Sequence, residues 1–316
     1  MTPNRTSYMS LLLIAKNRDM TPWKEALLEE DPNLDVEIWP RVENKERVTF
    51  ALSWNHPEKV LQNYPNLKTI SGLGAGVNHI LKDSTLPESV AITRTPIPSL
   101  GAQMAEYALN AIQNYRFHVP RYVDQKREGF WSPHEAIPKS DSVIGVMGLG
   151  EMGRPICELL ALNGYLVNGW SRLKKEIKGV ETFGKDQLDQ FLSRTNILVC
   201  ALPLTKETNG ILELDLFKKL SAPAFLINIA RGAHLVEEDL IYALDTGVLE
   251  GACLDVFEEE PLPAHHLFWN RPKIMITPHV AAITDPREGA KLVIENYKRS
   301  LSGMELLFEV DRQRGY

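Results

Sequence analysis

The chain has 316 residues, 44% of them hydrophobic and 24% charged, an ordinary balance for a water-soluble globular protein and enough length for two domains with well-buried cores. Its net charge of −6 argues against a role for the whole chain on nucleic acid or on a membrane surface. No apolar run approaches the length of a membrane span, so no membrane partner is expected either.

The first hundred residues alternate strand and helix signals. Residues 11–15 read as a strand, being too short for a secretory hydrophobic region. Thr21-Pro22 offers an N-cap and a first-turn proline for a helix to about Glu30. Residues 36–39 and 50–54 are further strands, 57–64 are predicted helical, and 69–71 and 91–93 are extended. This α/β pattern predicts a parallel sheet. Gly72-Leu73-Gly74-Ala75-Gly76-Val77 resembles a nucleotide loop, but no long helix follows it and no ribose-binding residue stands at the usual distance. By itself it reads equally well as a plain turn.

A long helix over 100–116 joins the halves of the chain. Residues 117–140 show no clean period and mix Pro120, Pro133 and Pro138 with Phe130-Trp131 and many charges. A connection this long is usually functional or disordered. It is read here as an arm that packs on another subunit, so a homodimer is expected.

A second αβ series begins at Val143. Apolar runs at 143–147, 166–170, 197–201, 224–228, 251–255 and 274–277 are separated by helix-length segments, which matches a doubly wound sheet. An amphipathic helix over 286–302 follows and is expected to cross back to the first half. The predicted fold is therefore α/β, with two Rossmann-like or flavodoxin-like domains, each a doubly wound parallel sheet, and a cleft between them. Residues 1–103 and 285–316 form a discontinuous substrate domain, and 104–284 form the cofactor domain.

Cys157, Cys200 and Cys253 lie far apart in apolar contexts. An odd, scattered set has neither a disulfide framework nor metal-ligand spacing, so reduced core thiols, a cytoplasmic location and no metal are expected. The pair His265-His266 has no acidic or cysteine partner at ligand spacing. His56, His79, His118, His134 and His234 have no supporting context and are read as structural.

The first chemical signal is Gly148-Leu149-Gly150-Glu151-Met152-Gly153. The β-branched run 142–147 leads into it and a helix-like stretch, 155–162, leads out. Strand, glycine turn and helix in that order form the dinucleotide-binding fingerprint. Gly148 permits the tight turn, Gly150 admits a pyrophosphate to the backbone, and Gly153 lets the helix approach the strand with its N-terminus toward the phosphates. The alternative is a glycine turn between two buried elements.

NAD-binding units usually end their second strand in Asp or Glu, which holds the ribose 2′-hydroxyl. Here that strand runs into Ser171-Arg172, with Lys174 and Lys175 close behind. A carboxylate would repel a 2′-phosphate, whereas a hydroxyl and a guanidinium would bind it. NADP(H) is therefore the expected cofactor, with NAD(H) possible. Without the glycine loop upstream, the same residues would be a solvated basic turn.

Arg231, Glu260 and His279 stand at or just beyond the ends of later strands, where open α/β sheets bind ligands. The types suit hydride transfer to a 2-oxo acid. A guanidinium clamps a carboxylate and polarises the adjacent carbonyl. A histidine passes a proton near neutral pH, and a carboxylate beside it fixes the ring and favours its charged form. Taken singly, Arg231 could be a structural ion pair, His279 a satisfied loop residue, and Glu258-Glu259-Glu260 a solvated face.

Together the motifs carry a resemblance. Asn228-Ile229-Ala230-Arg231-Gly232, then 254–263 with its run Phe257-Glu258-Glu259-Glu260-Pro261, then Thr277-Pro278-His279, follow the glycine loop in order. The chain resembles the D-isomer-specific 2-hydroxyacid dehydrogenases over essentially its whole length. The resemblance implies that Arg231 binds substrate, that Glu260 pairs with His279, and that His279 is the acid/base. It places Asp255 near the nicotinamide carboxamide and adds Leu202, Pro203, Ile229 and Ala230 to the cofactor set. It also implies that Leu73, Gly74, Ala75 and Gly76 offer backbone N–H groups to the substrate carboxylate, a task suited to a glycine-rich nest.

Within that family, Gly169-Trp170-Ser171-Arg172, Ala51-Leu52-Ser53-Trp54 and the ending Asp311-Arg312-Gln313-Arg314-Gly315-Tyr316 are similar to a bacterial subgroup that reduces glyoxylate and hydroxypyruvate with NADPH. Trp54 would then line the substrate pocket, though a tryptophan after a strand is commonly core. The missing acid after the second cofactor-domain strand departs from the wider family. A larger 2-oxo acid as substrate, or a dinucleotide-sensing corepressor-like role, are the alternatives.

Overall fold

The computed structural model describes residues 9–316, which divide into two compact units: the described residues up to Leu100 with Thr284–Tyr316, and Gly101–Ile283. In the first unit, β1 (Ser10–Ala15) leads to α1 (Thr21–Glu30), β2 (Asp35–Ile38), β3 (Val48–Trp54), β4 (Thr69–Gly72), the short α2 (Asn78–Leu81) and β5 (Ala91–Thr93). The sheet is parallel throughout, in the order β2-β1-β3-β4-β5, with Leu11 paired to Phe50 and Phe50 to Thr69. This is the flavodoxin-like order, which reverses between β1 and β3.

The run Ser10-Leu11-Leu12-Leu13-Ile14-Ala15 has no polar side because both faces of a parallel sheet are covered. Alternate residues go to opposite faces. Leu11 and Leu13 pack with Trp23, Leu27, Phe50 and Leu52, while Leu12 and Ile14 pack with Ala51, Leu61, Ile70 and Ile92.

After α3 (Pro98–Arg116) and α4 (Val119–Glu128), the second unit lays down β6 (Val143–Met147), α5 (Gly153–Leu162), β7 (Leu166–Trp170), β8 (Glu181–Phe183), α6 (Leu188–Leu192) and β9 (Ile197–Cys200). Then come α7 (Leu214–Phe217), β10 (Phe225–Asn228), α8 (Glu237–Thr246), β11 (Gly251–Leu254) and β12 (Ile274–Ile276). The seven strands are parallel and ordered β12-β11-β10-β9-β6-β7-β8. Counted from β6, the first six follow the dinucleotide-binding order, and the reversal falls between β6 and β9.

The last helix, α9 (Pro286–Ser302), belongs to the first unit. Asp285 caps it by accepting from the Arg287 amide at 2.9 Å, Pro286 occupies the first turn, and Gly303 ends it in the left-handed region. Its buried residues Gly289, Ala290, Val293, Ile294, Asn296 and Tyr297 recur at helical spacing. A Cβ on Gly289 would lie 2.5 Å from the Trp23 ring, so α9 can reach α1 only with glycine there.

Three local expectations need correction. Residues 57–64 are turns with a single 3-10 turn, Leu61–Asn63, rather than a helix; Asn55 and Lys59 take positive φ and break any run on that side. Residues 117–140, expected to be irregular, contain α4, a helix with no buried residue and hence no apolar stripe to find. The second sheet has seven strands rather than six, because β8 is only three residues long. The cysteines are free and buried, and burial raises Cys253 to about 11 and Cys157 and Cys200 to about 12.

Candidate active site

The glycine loop after β6 is shaped by backbone contacts. Gly148 has φ +98, and a Cβ there would meet the Ala201 carbonyl at 2.6 Å. A Cβ on Gly153 would lie 1.7 Å from the Gly148 oxygen, which explains how α5 starts directly beneath the turn. Gly150 differs from both, since its Cβ would meet nothing within 4 Å among the described residues. The loop thus presents backbone to open space at the point where a pyrophosphate must approach, and the N-terminus of α5 lies beside it. Leu149 is buried, with its carbonyl accepting from the Lys175 ammonium at 2.8 Å; Glu151 is exposed and Met152 half-buried.

Beyond β7, Ser171 is buried and its hydroxyl donates to the Leu173 carbonyl at 2.7 Å, so it shapes the turn that carries Arg172 and Lys174. Arg172, Lys174 and Lys175 are exposed, and the position that ends the strand is Ser171 rather than an acidic residue. Both features fit NADP: an open glycine cradle for the pyrophosphate and cations where a 2′-phosphate would sit. Lys175 was not among the predicted site residues; its tie to the loop has no motif-level signal.

Arg231, Glu260 and His279 come together on the second unit. Glu260 accepts from the His279 ring at 2.7 Å and from the Phe257 amide at 3.0 Å. Partial burial pushes the Glu260 carboxyl up, but the bonds from His279 and Phe257, with the charge of Arg231, bring it below its ordinary range. Arg231 leaves β10 through a turn packed so tightly that a Cβ on Gly232 would fall 1.8 Å from the Phe257 carbonyl carbon. That contact seats the arginine turn on the loop bearing Glu260. The Arg231 guanidinium donates to the Ala230 carbonyl at 2.5 Å, and burial pulls its pKa down while Glu260 pushes it back up. An arginine stays protonated under any working condition.

His279 has φ +55, a left-handed backbone that costs a non-glycine residue about 1 kcal/mol or more. Asp255 holds it there. The Asp255 carbonyl accepts from the His279 amide at 2.8 Å. Its carboxylate accepts from the Thr277 hydroxyl at 2.6 Å and from the Val280 and Ala281 amides at 2.9 Å each. Tyr107 donates to Thr277 at 2.6 Å, and burial raises its hydroxyl pKa. Asp255 is 1% exposed, so the observed work of its carboxylate is to wrap the histidine turn.

Of the other predicted cofactor residues, Leu202, Ile229 and Ala230 are buried, and the Pro203 carbonyl accepts from Thr208 at 2.7 Å. The Ala230 amide donates to the Asn228 side chain at 3.2 Å.

In the first unit, Trp54 ends β3 with its ring 5.2 Å from that of His79, and His79 bonds the Ser53 carbonyl at 3.3 Å. The loop after β4 has its amides apportioned. Leu73 is buried and donates to the Ser53 carbonyl at 3.2 Å, so its N–H is committed. The amides of Gly74, Ala75 and Gly76 have no acceptor among the described residues. Thr95 donates to the Gly74 carbonyl at 2.8 Å and fixes the loop from behind.

Comparison with known proteins gives a consistent result. The sequence model of the D-isomer specific 2-hydroxyacid dehydrogenase NAD binding domain matches residues 109–281. A glyoxylate/hydroxypyruvate reductase A from Photorhabdus laumondii is 41% identical over 304 residues, 94% of this chain and 97% of that protein. A D-isomer specific 2-hydroxyacid dehydrogenase from Xanthobacter autotrophicus Py2, solved with NADPH and MES, has a TM-score of 0.90 at 36% identity, covering 98% of this chain and 100% of that one. An NADPH-dependent glyoxylate/hydroxypyruvate reductase from Sinorhizobium meliloti, solved with NADP and sulfate, also has a TM-score of 0.90, at 34% identity over 97% of this chain and 100% of that one.

Proposed function

The chain belongs to the D-isomer specific 2-hydroxyacid dehydrogenase family, and from that premise we propose that it reduces glyoxylate to glycolate and hydroxypyruvate to D-glycerate with NADPH. The observation that carries the chemistry is the His279–Glu260 pair at 2.7 Å, with the Arg231 turn seated on the Glu260 loop. NADPH, when bound, supplies the hydride that goes to carbon 2 of the acid.

The protein's own residues do the rest. Arg231 binds the substrate carboxylate and its guanidinium polarises the neighbouring carbonyl, and in the first unit the amides of Gly74, Ala75 and Gly76 are the groups offered to a carboxylate. Glu260 accepts the Nδ1 hydrogen of His279, which fixes the tautomer and leaves Nε2 to give its proton to the new hydroxyl. Asp255 keeps the histidine turn in its left-handed conformation, so the proton donor is positioned before substrate arrives. Trp54 lines the substrate side. The glycine loop with Glu151, Met152, Leu202, Pro203, Ile229 and Ala230 receives the dinucleotide. Arg172 and Lys174, carried on the turn that Ser171 shapes, select the 2′-phosphate.

Two further assignments complete the reading. The arm around α4 exposes Phe130 at 60% and Trp131 at 94%, which supports a homodimer formed through it. Three free, buried cysteines fit a reducing, cytoplasmic setting.

Steady-state rates of purified protein with glyoxylate, hydroxypyruvate, phenylpyruvate and phosphohydroxypyruvate, each with NADPH and NADH, test the function. The two small acids with NADPH should give the highest kcat/KM. A preference for a large acid would replace the substrate assignment, and no turnover with any pair would leave a binding protein.

A further inference from the structure

His234 has no place in the chemistry described so far, yet it is fully buried and lies three residues from Arg231. Its Nε2 is 3.3 Å from the Pro203 carbonyl, and its Nδ1 is 3.2 Å from the Arg231 amide nitrogen and 3.1 Å from the Arg231 carbonyl. Burial holds the imidazole below its ordinary pKa, with the charge of Arg231 acting in the same direction, against the smaller pull of the Pro203 and Arg231 backbone bonds. A neutral ring has one donor and one acceptor.

The neighbours settle which is which. The Pro203 carbonyl can only accept, so Nε2 carries the hydrogen. The Arg231 carbonyl is already served by the Asn228 amide group at 3.1 Å and the His234 backbone N–H at 3.2 Å. Nδ1 therefore accepts from the Arg231 N–H. Further along the chain, Gly210 and Leu212 donate backbone bonds to the carbonyls of Ala233 at 2.9 Å and His234 at 2.8 Å.

We propose that His234 is a positioning residue whose neutral ring ties the backbone of Arg231 to the carbonyl of Pro203. The guanidinium assigned to the substrate carboxylate and the loop assigned to the dinucleotide are thereby set as one piece. The inference rests on the function proposed above for Arg231. It gives a histidine next to the substrate arginine a role that leucine, similar in size and apolar, cannot fill, because leucine offers neither the acceptor nor the donor.

The test replaces the ring and reads substrate affinity separately from turnover. His234→Leu should raise KM for glyoxylate roughly tenfold while kcat falls by less than about threefold, since the proton donor and its partner are untouched. Binding of oxamate, an unreactive 2-oxo acid analogue, to the NADPH-loaded protein should weaken by the same factor when followed by tryptophan fluorescence. His234→Asn, which keeps an acceptor facing the Arg231 amide, should recover most of the loss.

Wild-type KM and oxamate affinity in a folded His234→Leu protein, alongside a raised KM in Arg231→Lys, would overturn the strut and leave the role of Arg231 standing. Unchanged KM in Arg231→Lys would instead remove the substrate reading and the strut with it. If His234→Leu does not fold, His234→Gln decides. It keeps a donor toward Pro203 and displaces the acceptor from Arg231, so a raised KM supports the proposal and an unchanged one overturns it.

Discussion

Replacing Gly150 with alanine separates cofactor binding from folding in a way the neighbouring glycines do not allow. An added Cβ at Gly150 meets nothing within 4 Å, and its φ lies outside the left-handed range, so the fold has no reason to object. Removing glycine's freedom from the unfolded chain should even stabilise the protein by about 0.4–1 kcal/mol. For a unit of this size that is a rise in Tm of about 1–4 °C. The same methyl group would occupy the space proposed for the pyrophosphate. Losing one charge-assisted hydrogen bond costs about 1.5–3 kcal/mol, or roughly 10–150-fold in Kd. Gly153→Ala is the contrasting variant: its Cβ would sit 1.7 Å from the Gly148 oxygen, so it should lower Tm and affect NADPH only through damage to the loop. Thermal melts of the apoprotein and titration of nicotinamide fluorescence measure the two effects. A Gly150→Ala protein that binds NADPH like the wild type, or that melts several degrees lower, would refute the reasoning.

Other expectations concern the remaining parts of the site. His279→Ala should reduce kcat by roughly 10²–10⁴-fold, the usual worth of a general acid, while Kd for NADPH stays within about twofold; wild-type turnover would remove His279 as the proton donor. Arg172→Ala should weaken NADPH by roughly tenfold or more and leave NADH nearly unchanged; equal losses for both would show that the turn does not read the 2′-phosphate. His56 and His234 are buried with pKa values held below the ordinary 6.5, burial being the main cause in each. The unfolded chain therefore takes up protons first, so their contribution to stability is complete above pH 6.5 and drains away as pH falls toward the folded values, at up to about 1.4 kcal/mol per pH unit for each ring. Urea midpoints measured at pH 7.5 and 5.5 should show that fall, and a flat profile would contradict it.

The sequence revealed most where local and global signals agree. β1, β6 and β10 are largely apolar runs because a parallel sheet covers both faces, and these three and β7 each read as a strand within a residue of its ends. The glycine loop was legible because its flanks are a strand and a helix. Legibility failed where the chain had no period to display. β8 is an edge strand of three residues between Gly179 and Gly184, and α4 turns no apolar face inward. The reach of Arg231, Glu260 and His279 toward one another came from ordered motifs, but the supports did not. Asp255 carries the histidine turn on its carboxylate, Leu73 commits its amide to Ser53, and His234 bridges to Pro203. Those are long-range contacts made by single polar groups, and no spacing in the chain announces them.

The proposed reaction passes reducing equivalents from NADPH to a small 2-oxo acid. The most direct measurement incubates purified protein with NADPH and hydroxypyruvate and determines the amount and configuration of the glycerate formed. One equivalent of D-glycerate for each NADPH consumed is the predicted result. Racemic or L-glycerate, or NADPH left unconsumed while it remains bound, would contradict the account.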